Sequence, residues 1–543
     1  MKDWWRKKNF LDRCEFAAAA VLSLLLLVLH LVFSFRAGPL WRDEISSLRL
    51  ATMPTLSEVW KFLPFDPFPI SYFLLLRSWQ ALGFAATDFG LRILGLLIGI
   101  SLIGALWFSS HVINKSAPLW PLALFALNPF VLEIGDSLRP YGFGLIWIVL
   151  SAGLIWRVTF QKFRKPTILL AVVAALLSVQ SLFTNALLLF AVCLGAFAIL
   201  LKRKSWDRMT LIICIGFVSA LSILPYLSIF RATRDWLEIA AGDTSLVSVT
   251  SSFFDAIRDG GAVAEATWLL WGGILILIPA ILWSRPLARF FEAKRDHVMF
   301  AAIALFLSIV CTATFLCHAQ YRIFPRYFLP LMAIGALAIH IFSEALRTRP
   351  QLRVINLCAV LLIAATAVPD FYERAKTRLT NCDRIAATLQ ARAETGDVVI
   401  VTSFFYAVSF QRYYHGAASW HAVPDVADST LHRWDLLKEA MTHTDPMQKI
   451  VSDIESALKS GHRVFLVGKL HSSPTLQPDP LPPAPQSEYG WQMTPYFNNW
   501  KSELSFYIEH HAVHGSDLPV EAGPIVNLAE TLGLFEVSGW RER

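Results

Sequence analysis

The sequence predicts a mainly α fold: a polytopic membrane helix bundle of about eleven spans, with external interfacial helices and a small C-terminal α/β domain. Three observations support this prediction. Of the 543 residues, 55% are hydrophobic and only 16% are charged, whereas a soluble chain carries roughly a quarter charged residues. Apolar runs long enough to span a bilayer recur as far as residue 369. Beyond that point charge, histidine and proline increase, which indicates a separate domain.

The first apolar run, 16–35, follows a cluster of lysines and arginines and is long enough to be a permanent anchor with a cytoplasmic N-terminus. Further runs of spanning length follow at 91–110, 117–135, 140–157, 167–183, 185–201, 209–230, 265–284, 298–317, 327–346 and 353–369. The stretch 68–83 is short and interrupted by Arg77, and we interpret it as an interfacial helix. This interpretation keeps the later basic clusters on the side of the N-terminus, as the positive-inside rule requires.

With this topology, residues 1–369 form a membrane domain whose first external loop is 36–90. We expect 231–264 to be a second external loop, able to close as a lid. Residues 370–543 form an external C-terminal domain, in which β-type and helix-like stretches alternate. The β-type runs are 397–404, 462–468 and 533–540, and the helix-like stretches are 382–394 and 446–459.

The net charge of +7 does not indicate a nucleic-acid partner, because the basic residues lie in short clusters between apolar runs. The seven cysteines form no CxxC motif and lie mostly within predicted spans, so we expect no disulfide framework. The tail is rich in histidine, and HHAVH at 510–514 raises the question of a metal. The run lies beside LSFYI at 504–508, which we expect to form a strand, and no carboxylate or cysteine completes a ligand set. We therefore interpret the run as polar surface.

Two adjacent carboxylates, Asp43 and Glu44, follow the first span in the stretch WRDEISSLRL. If 41–56 is a helix, one stripe contains Trp41, Ile45, Leu48 and Thr52. Asp43 then points to the opposite side and Glu44 to its flank. An interfacial helix in this pose turns Asp43 toward the space outside the membrane. The alternative is that both carboxylates are merely solvated.

Other polar residues gather near the same predicted membrane face. Asp66 precedes the interfacial helix, whose start is marked by prolines. Asp136 and Arg139 end the third span, and Tyr141 opens the fourth. Charged groups at a span end are costly unless they are paired or functional, so an Asp136–Arg139 structural pair is the alternative.

Two arginines, Arg322 and Arg326, lie at the outer end of the tenth span in YRIFPRYFLP. Guanidinium groups stay charged and offer paired donors to a phosphate. The arginines therefore suit a phosphate-bearing substrate, and contact with lipid headgroups is the alternative.

The order of these four motifs resembles that of the GT-C type membrane glycosyltransferases, the superfamily of protein-mannosyltransferases and aminoarabinose transferases. The resemblance covers about residues 10–350, and the tail also resembles the external C-terminal domain of that family. It implies a transferase in the bacterial inner membrane that moves a sugar from a polyprenyl-phosphate donor to a glycolipid, glycan or protein acceptor on the outer, periplasmic face. It also implies that Asp43 is the base and that Arg139, Arg322 and Arg326 hold the phosphate.

The sequence departs from the family pattern at two places. Many relatives have a histidine or lysine before a Pro-Pro pair, whereas this chain has Phe68, so that Arg77 or Lys61 would have to supply the missing cation. Many also have an acidic residue two positions before the Arg-Pro, where this chain has Ser137. A divalent metal is therefore left open, and so is the role of Glu44 in orienting Asp43, pairing with an arginine or binding a metal.

The chemistry agrees with this family. Transfer from a phosphate-linked sugar needs a carboxylate to accept the acceptor proton and positive charge on the departing phosphate. The alternative function is a lipid or glycan transporter, or flippase, without transferase activity. That class predicts ionisable residues near mid-membrane, whereas the predicted spans have few charges at their centres.

Overall fold

The computed structural model describes residues 9–283, 294–470, 476–520 and 523–542. By contacts the chain divides into two compact units. The first unit consists of Met1–Arg36, Phe68–Leu227 and Asp243–Lys376, and the second of Ala37–Pro67, Ser228–Gly242 and Thr377–Arg543. The domain boundary after residue 369 stays a prediction. Residues 37–67, from the predicted first external loop, group with the C-terminal region.

The helices and strands of the described residues are numbered in chain order. The helices are α1 (Phe10–Arg36), α2 (Arg42–Ala51), α3 (Leu56–Phe62), α4 (Ile70–Ala81), α5 (Asp88–Asn114), α6 (Pro129–Gly135), α7 (Pro140–Phe160), α8 (Lys165–Val179), α9 (Asn185–Lys202), α10 (Trp206–Leu221), α11 (Leu227–Leu237), α12 (Leu246–Arg258), α13 (Ala262–Trp283), α14 (Arg295–His318), α15 (Leu329–Ala345), α16 (Pro350–Lys376), α17 (Cys382–Arg392), α18 (Phe404–Tyr413), α19 (Trp434–Ala440), α20 (Gln448–Lys459) and α21 (Met493–His511). The strands are β1 (Val398–Val401), β2 (Ser419–Ala422), β3 (Arg463–Val467), β4 (Ala512–Asp517) and β5 (Leu534–Trp540).

The protein is a multi-pass membrane protein. Among the described residues, 8 helical segments are long and apolar enough to cross a bilayer, and α8 and part of α13 are shorter apolar helices. Each predicted span except 117–135 coincides with one of these helices. The predicted fold class is thus confirmed.

The predicted span 117–135 is not one continuous helix. A π-helix, Pro121–Ala126, is followed by a break at Asn128 and then by α6. The Asn128 side chain accepts a hydrogen bond from the Phe130 N–H at 2.9 Å, and Pro129 has no N–H to continue the preceding helix. The helix therefore restarts here, and α6 ends after only 7 residues at the turn that carries Asp136.

The segment 68–83 forms α4, which begins after Pro69 and has 12 residues, too few to cross a bilayer. The prediction of a helix that does not span is confirmed for this segment. The segment 231–264, predicted as an external loop, is largely helical, because α11 and α12 occupy most of it. Its position outside the membrane and its role as a lid stay predictions. Both helices are strongly amphipathic, so polar residues interrupt every apolar run in their sequences. A search for long apolar runs therefore does not detect them.

Small and hydroxyl-bearing residues allow close helix packing in the first unit. The Ser109 hydroxyl on α5 donates to the Val149 carbonyl on α7 at 2.9 Å. A Cβ atom at Gly153 would lie 3.0 Å from the Ser109 Cα, so only glycine permits this approach. The Trp107 indole donates to the Ser23 hydroxyl at 2.8 Å and ties α5 to α1. Packing of this kind, rather than hydrophobic burial alone, holds helices together in lipid.

The second unit contains a five-stranded mixed sheet in the order β2-β1-β3-β5-β4. Strand β1 is parallel to both β2 and β3, whereas β5 is antiparallel to β3 and to β4. Alternate residues of β1 face opposite cores: Ile400 packs with α20 and α21, and Val399 packs with α17 and α18. Helices cover both faces, which is why β1 and β3 are nearly continuous apolar runs.

The predicted C-terminal α/β fold is confirmed, with β1, β3, β5, α17 and α20 within a few residues of their predicted ranges. Strands β2 and β4 were not predicted. Residues 504–508, expected to form a strand beside the histidine run, lie in α21, and β4 begins after His511. The edge strand β4 is mostly exposed and polar, so it lacks the apolar signal of a buried strand.

Candidate functional site

Helix α2 carries Asp43 and is held tightly in the second unit. It begins after Trp41 and ends at Ala51, five residues earlier than predicted. Of the predicted stripe, Ile45 and Leu48 are buried, whereas Trp41 and Thr52 are half-buried and flank the two ends of the helix. Ser46 and Ser47 are buried as well. Asp43, by contrast, keeps 19% of its side chain exposed.

Two cationic or ionisable groups contact the same oxygen of Asp43. The Arg42 Nε atom lies 3.8 Å from Asp43 Oδ1, and the His432 Nε2 atom lies 3.6 Å from it. A partly exposed carboxylate on a fixed helix, with its orientation constrained by neighbours, has the properties of a general base.

Glu44 lies beside Asp43 but is fully buried. Its Oε2 atom accepts a hydrogen bond from the Trp41 N–H at 3.1 Å, at the first turn of α2. This contact satisfies a backbone donor that the helix leaves open and places negative charge at the helix N-terminus. Glu44 thus stabilises the start of the helix that carries Asp43.

Asp66 is tied to the same face of α2. The Ser47 hydroxyl donates to Asp66 Oδ2 at 2.6 Å, and Ser47 lies one turn after Asp43. Asp66 is itself buried, with 4% of its surface exposed. The second unit therefore brings Asp43, Glu44 and Asp66 together around one short helix.

A further carboxylate, which the sequence did not indicate, joins this group. Glu530 lies in a 3₁₀ turn far along the chain, is buried, and places Oε1 3.2 Å from Arg42 Nη1. The Arg42 guanidinium lies 5.2 Å from the Tyr406 ring centre, and the Tyr406 hydroxyl donates to the Ala529 carbonyl at 3.0 Å. The turn is thus anchored beside α2.

The pKa of Glu530 is raised to about 7, chiefly because the side chain is buried. Arg42 opposes this rise, and the charges of Asp43 and Glu44 add to it. The side chain is therefore an acid that holds its proton more tightly in the folded chain than in the unfolded one. Because the unfolded carboxyl ionises first, stability is fully present below pH 4.5 and is lost as the pH rises toward about 7.

We expect Glu530→Gln to become more stable relative to wild type as the pH is raised from 5 to 8. The difference in the free energy of unfolding between the two proteins should change by about 3 kcal/mol at most. The amide cannot ionise, so it does not incur the cost of a buried charge at high pH. The measurement is the unfolding temperature of both full-length proteins in detergent at the two pH values. Glu394→Gln, at a carboxylate with 80% of its side chain exposed, is the control. An equal Tm difference at both pH values would contradict the prediction.

In the first unit, Asp136 is buried at the turn after α6 and lies close to His30 of α1. Its Oδ2 atom lies 2.6 Å from His30 Nδ1. Arg92 of α5 is also buried and interacts electrostatically with the carboxylate. Gly99 of α5 makes room, since a Cβ there would lie 2.3 Å from Asp136 Oδ1. These contacts tie Asp136 to neighbouring helices.

Arg139 and Tyr141 share an aromatic neighbour. Arg139 immediately precedes α7, and its guanidinium lies 4.7 Å from the centre of the Phe68 ring. Tyr141 meets the same ring edge-on at 5.6 Å. Phe68 lies where the resemblance predicts a cation, and its ring contacts the cation of Arg139.

Arg322 and Arg326 also share one ring. Their guanidinium carbons lie 5.4 Å and 4.3 Å from the centre of Phe324. Arg326 is followed by Tyr327, whose ring lies 5.8 Å from the same guanidinium. Two guanidinium groups beside one aromatic ring suit an anion with several oxygens.

Tyr321 connects the two arginine groups of the first unit. Burial raises the pKa of its hydroxyl, and the nearby Tyr327 and Tyr141 raise it further. The hydroxyl thus stays protonated and can donate a hydrogen bond. The first unit therefore brings Arg139, Tyr141, Arg322 and Arg326 into one region of arginines and tyrosines, with Asp136 nearby in sequence but engaged with His30.

The residues present do not form an obvious metal site. In the described ranges, no group of three or more His, Cys, Asp or Glu side chains is arranged to hold a metal ion. Glu44, the carboxylate for which metal binding was an open role, caps its own helix. We therefore assign no step to a metal.

The fold has structural relatives. No protein-family model and no curated protein matches the sequence. The structure of ArnT from Cupriavidus metallidurans in the apo state is similar, with a TM-score of 0.51, 12% identity and coverage of 83% of this chain and 93% of that one. The same protein bound to undecaprenyl phosphate matches with a TM-score of 0.50, 11% identity and coverage of 82% and 92%. The chain therefore has the fold of ArnT, which agrees with the fold that the resemblance predicts.

Proposed function

We propose that the protein is an inverting glycosyltransferase, hexosyl or pentosyl, that moves a sugar from a polyprenyl-phosphate donor to an envelope glycolipid, glycan or protein. The observation that carries this proposal is the state of Asp43: it stays partly exposed next to the fully buried Glu44, and Arg42 and His432 approach one of its oxygens. This is what a base for an incoming hydroxyl requires.

In the reaction, an acceptor hydroxyl oxygen attacks the anomeric carbon and the bond from that carbon to the phosphate oxygen breaks. Asp43 takes the hydroxyl proton, and the bonding electrons leave with the polyprenyl phosphate. Because one displacement occurs, the configuration at the anomeric carbon inverts. The arginines of the first unit would hold the departing charge, and the Tyr321 hydroxyl would donate to a phosphate oxygen.

Asp66 and Asp136 are proposed as substrate-binding residues of different kinds. Asp66 is linked through Ser47 to the helix of Asp43 and would accept hydrogen bonds from sugar hydroxyls. Asp136, with its short contact to His30, would act mainly by fixing the turn that leads to Arg139. Glu44 would serve catalysis through the helix start that it stabilises.

The nature of the donor is supported by the fold. ArnT, which shares this fold, has been solved with undecaprenyl phosphate bound. The paired arginines on Phe324 are chemically suited to the same phosphate group.

We further propose that the protein lies in a bacterial inner membrane with its N-terminus in the cytoplasm and its C-terminal region in the periplasm. The positive-inside distribution of lysine and arginine supports this orientation. Protease added to spheroplasts should then cleave the C-terminal region, and protease added to inverted vesicles should not. The reverse pattern would contradict the orientation.

The function is tested by incubating the purified protein with radiolabelled undecaprenyl-phosphate sugars and a membrane extract as acceptor. We expect label to leave the lipid fraction and to appear in a glycolipid, glycan or protein, with an inverted anomeric configuration. A transporter or flippase would move the labelled lipid across a vesicle bilayer with the sugar–phosphate bond intact. Label that crosses the bilayer but always remains on its carrier would therefore contradict the proposal.

A further inference from the structure

His432 is a buried histidine that the general reaction scheme leaves without a role. Only 7% of its surface is exposed, and its ring lies among Phe404, Phe405 and Trp434 with centroid distances of 6.1 to 6.2 Å. Neither ring nitrogen has a hydrogen-bond partner within the described part of the chain. A buried imidazole always carries at least one N–H, and leaving it unsatisfied is costly, so such a group calls for an explanation.

The polar group that this ring faces is Asp43. The His432 Nε2 atom lies 3.6 Å from Asp43 Oδ1, slightly longer than a hydrogen bond. The Arg42 Nε atom approaches the same oxygen to 3.8 Å. A small movement of either side chain would convert both approaches into hydrogen bonds, and contacts of this kind often shorten only when substrate is bound.

The loop that carries His432 is rigidly built. Arg433 donates to Asp428 at 2.6 Å and to the two oxygens of Asp435 at 2.9 and 2.7 Å. Asp428 also accepts from the Thr430 N–H and hydroxyl at 2.9 and 2.6 Å. Ion pairs and hydrogen bonds therefore fix the loop on both sides of His432, as the support of a functional side chain requires.

The same loop is tied to the segment that ends at Asp66. The Arg433 guanidinium lies 5.3 Å from the centre of the Phe65 ring, and Phe65 stacks on Trp236 at 5.1 Å. Thus one braced loop of the C-terminal region contacts both the helix of Asp43 and the residue that precedes Asp66. All of these groups belong to the second unit.

We propose that His432 is a positioning residue for Asp43, through which the C-terminal region takes part in catalysis. This inference rests on the proposed function. The imidazole N–H holds Oδ1 and fixes the rotation of the carboxylate, so that the acceptor proton meets a base in one orientation. It acts through Asp43 and does not itself touch the reacting atoms.

The test compares His432→Phe and His432→Gln in the full-length protein. Phenylalanine fits the aromatic surroundings and removes both nitrogens, whereas glutamine keeps an N–H donor. We expect His432→Phe to lower kcat about 10- to 100-fold with donor KM nearly unchanged, because a misplaced base costs rate rather than ground-state binding. Glutamine should restore part of the loss. Neither change should lower kcat further in an Asp43→Asn background, because the two residues act as one unit.

The controls separate positioning from folding. His443 is exposed, and the changes His443→Phe and His443→Gln should leave kcat and KM as in wild type. If His432→Phe keeps full kcat while Asp43→Asn abolishes transfer, the positioning role is overturned and the proposed function stands.

A second measurement does not depend on transfer. In protein with isotopically labelled histidine, the side-chain NMR signals of His432, assigned by their loss in His432→Phe, should shift when Asp43→Asn is introduced. An unchanged signal would overturn the link between the two residues. If wild type transfers no sugar but this shift is seen, the proposed function fails while the contact between His432 and Asp43 is retained.

Discussion

Asp43→Asn is expected to reduce sugar transfer by about 10²- to 10⁴-fold, the usual contribution of a general base. Asparagine has the size and shape of aspartate but cannot accept the proton of an acceptor hydroxyl. The variant should fold normally, because Ile45, Ser46 and Ser47 of α2 stay buried and Glu44 still caps the helix. The measurement is the initial rate of label transfer at saturating donor, together with the unfolding temperature.

Two further variants sharpen this result. Asp43→Glu keeps a base but moves it by roughly one bond length, and a displacement of about 1 Å can cost up to 10²-fold, so intermediate activity is expected. Asp517→Asn removes an exposed carboxylate from the edge strand β4 of the same unit and should have no effect. Wild-type rates in Asp43→Asn would show that the base lies elsewhere, even if the protein is a transferase.

The sequence alone predicted the parts of the fold that repeat a simple physical pattern. A membrane span needs about 20 apolar residues, so α1, α5, α7 and α14 were found nearly at their true bounds. The buried strands β1 and β3 were found for a related reason, since helices cover both of their faces. Where a helix is amphipathic, as α11 and α12 are, the same criterion failed.

The residues of the candidate site also fall into two groups: those that a sequence motif predicts and those that it does not. The order of four motifs was enough to single out Asp43, Arg139, Arg322 and Arg326. The groups that surround Arg42 and Asp43 were not visible, because they come from distant parts of the chain. Glu530 precedes no apolar run and belongs to no motif, yet it contacts Arg42. His432 was one of many tail histidines until its burial beside Asp43 distinguished it.

Phe68 shows how a departure from a family pattern can be resolved only in three dimensions. Its ring supports the guanidinium of Arg139 at 4.7 Å, and Tyr141 packs against its edge. Arg139 thus places a cation beside position 68. Arg77 and Lys61, the substitutes that the sequence suggested, stay predictions.

Arg326→Gln is expected to raise the apparent KM for the polyprenyl-phosphate donor about 10- to 100-fold, since a hydrogen bond to a charged group contributes about 1.5–3 kcal/mol. The guanidinium rests on Phe324 at 4.3 Å, and glutamine removes its charge and its paired donors. Arg326→Lys restores the charge but not the paired geometry, so it should recover only part of the affinity. Initial rates over a range of donor concentrations give KM and kcat separately.

The same measurement distinguishes the two sources of phosphate that Arg326 could meet. If the arginine only contacts lipid headgroups, its loss leaves the donor KM unchanged and alters stability in the bilayer instead. If it binds the carrier, KM rises in detergent and in lipid alike, and free undecaprenyl phosphate loses potency as a competing ligand to the same degree. Arg164→Gln, at an exposed arginine before α8, should change neither quantity. If Arg326→Gln has a donor KM within twofold of wild type, the arginine contacts the membrane surface and not the phosphate of the donor.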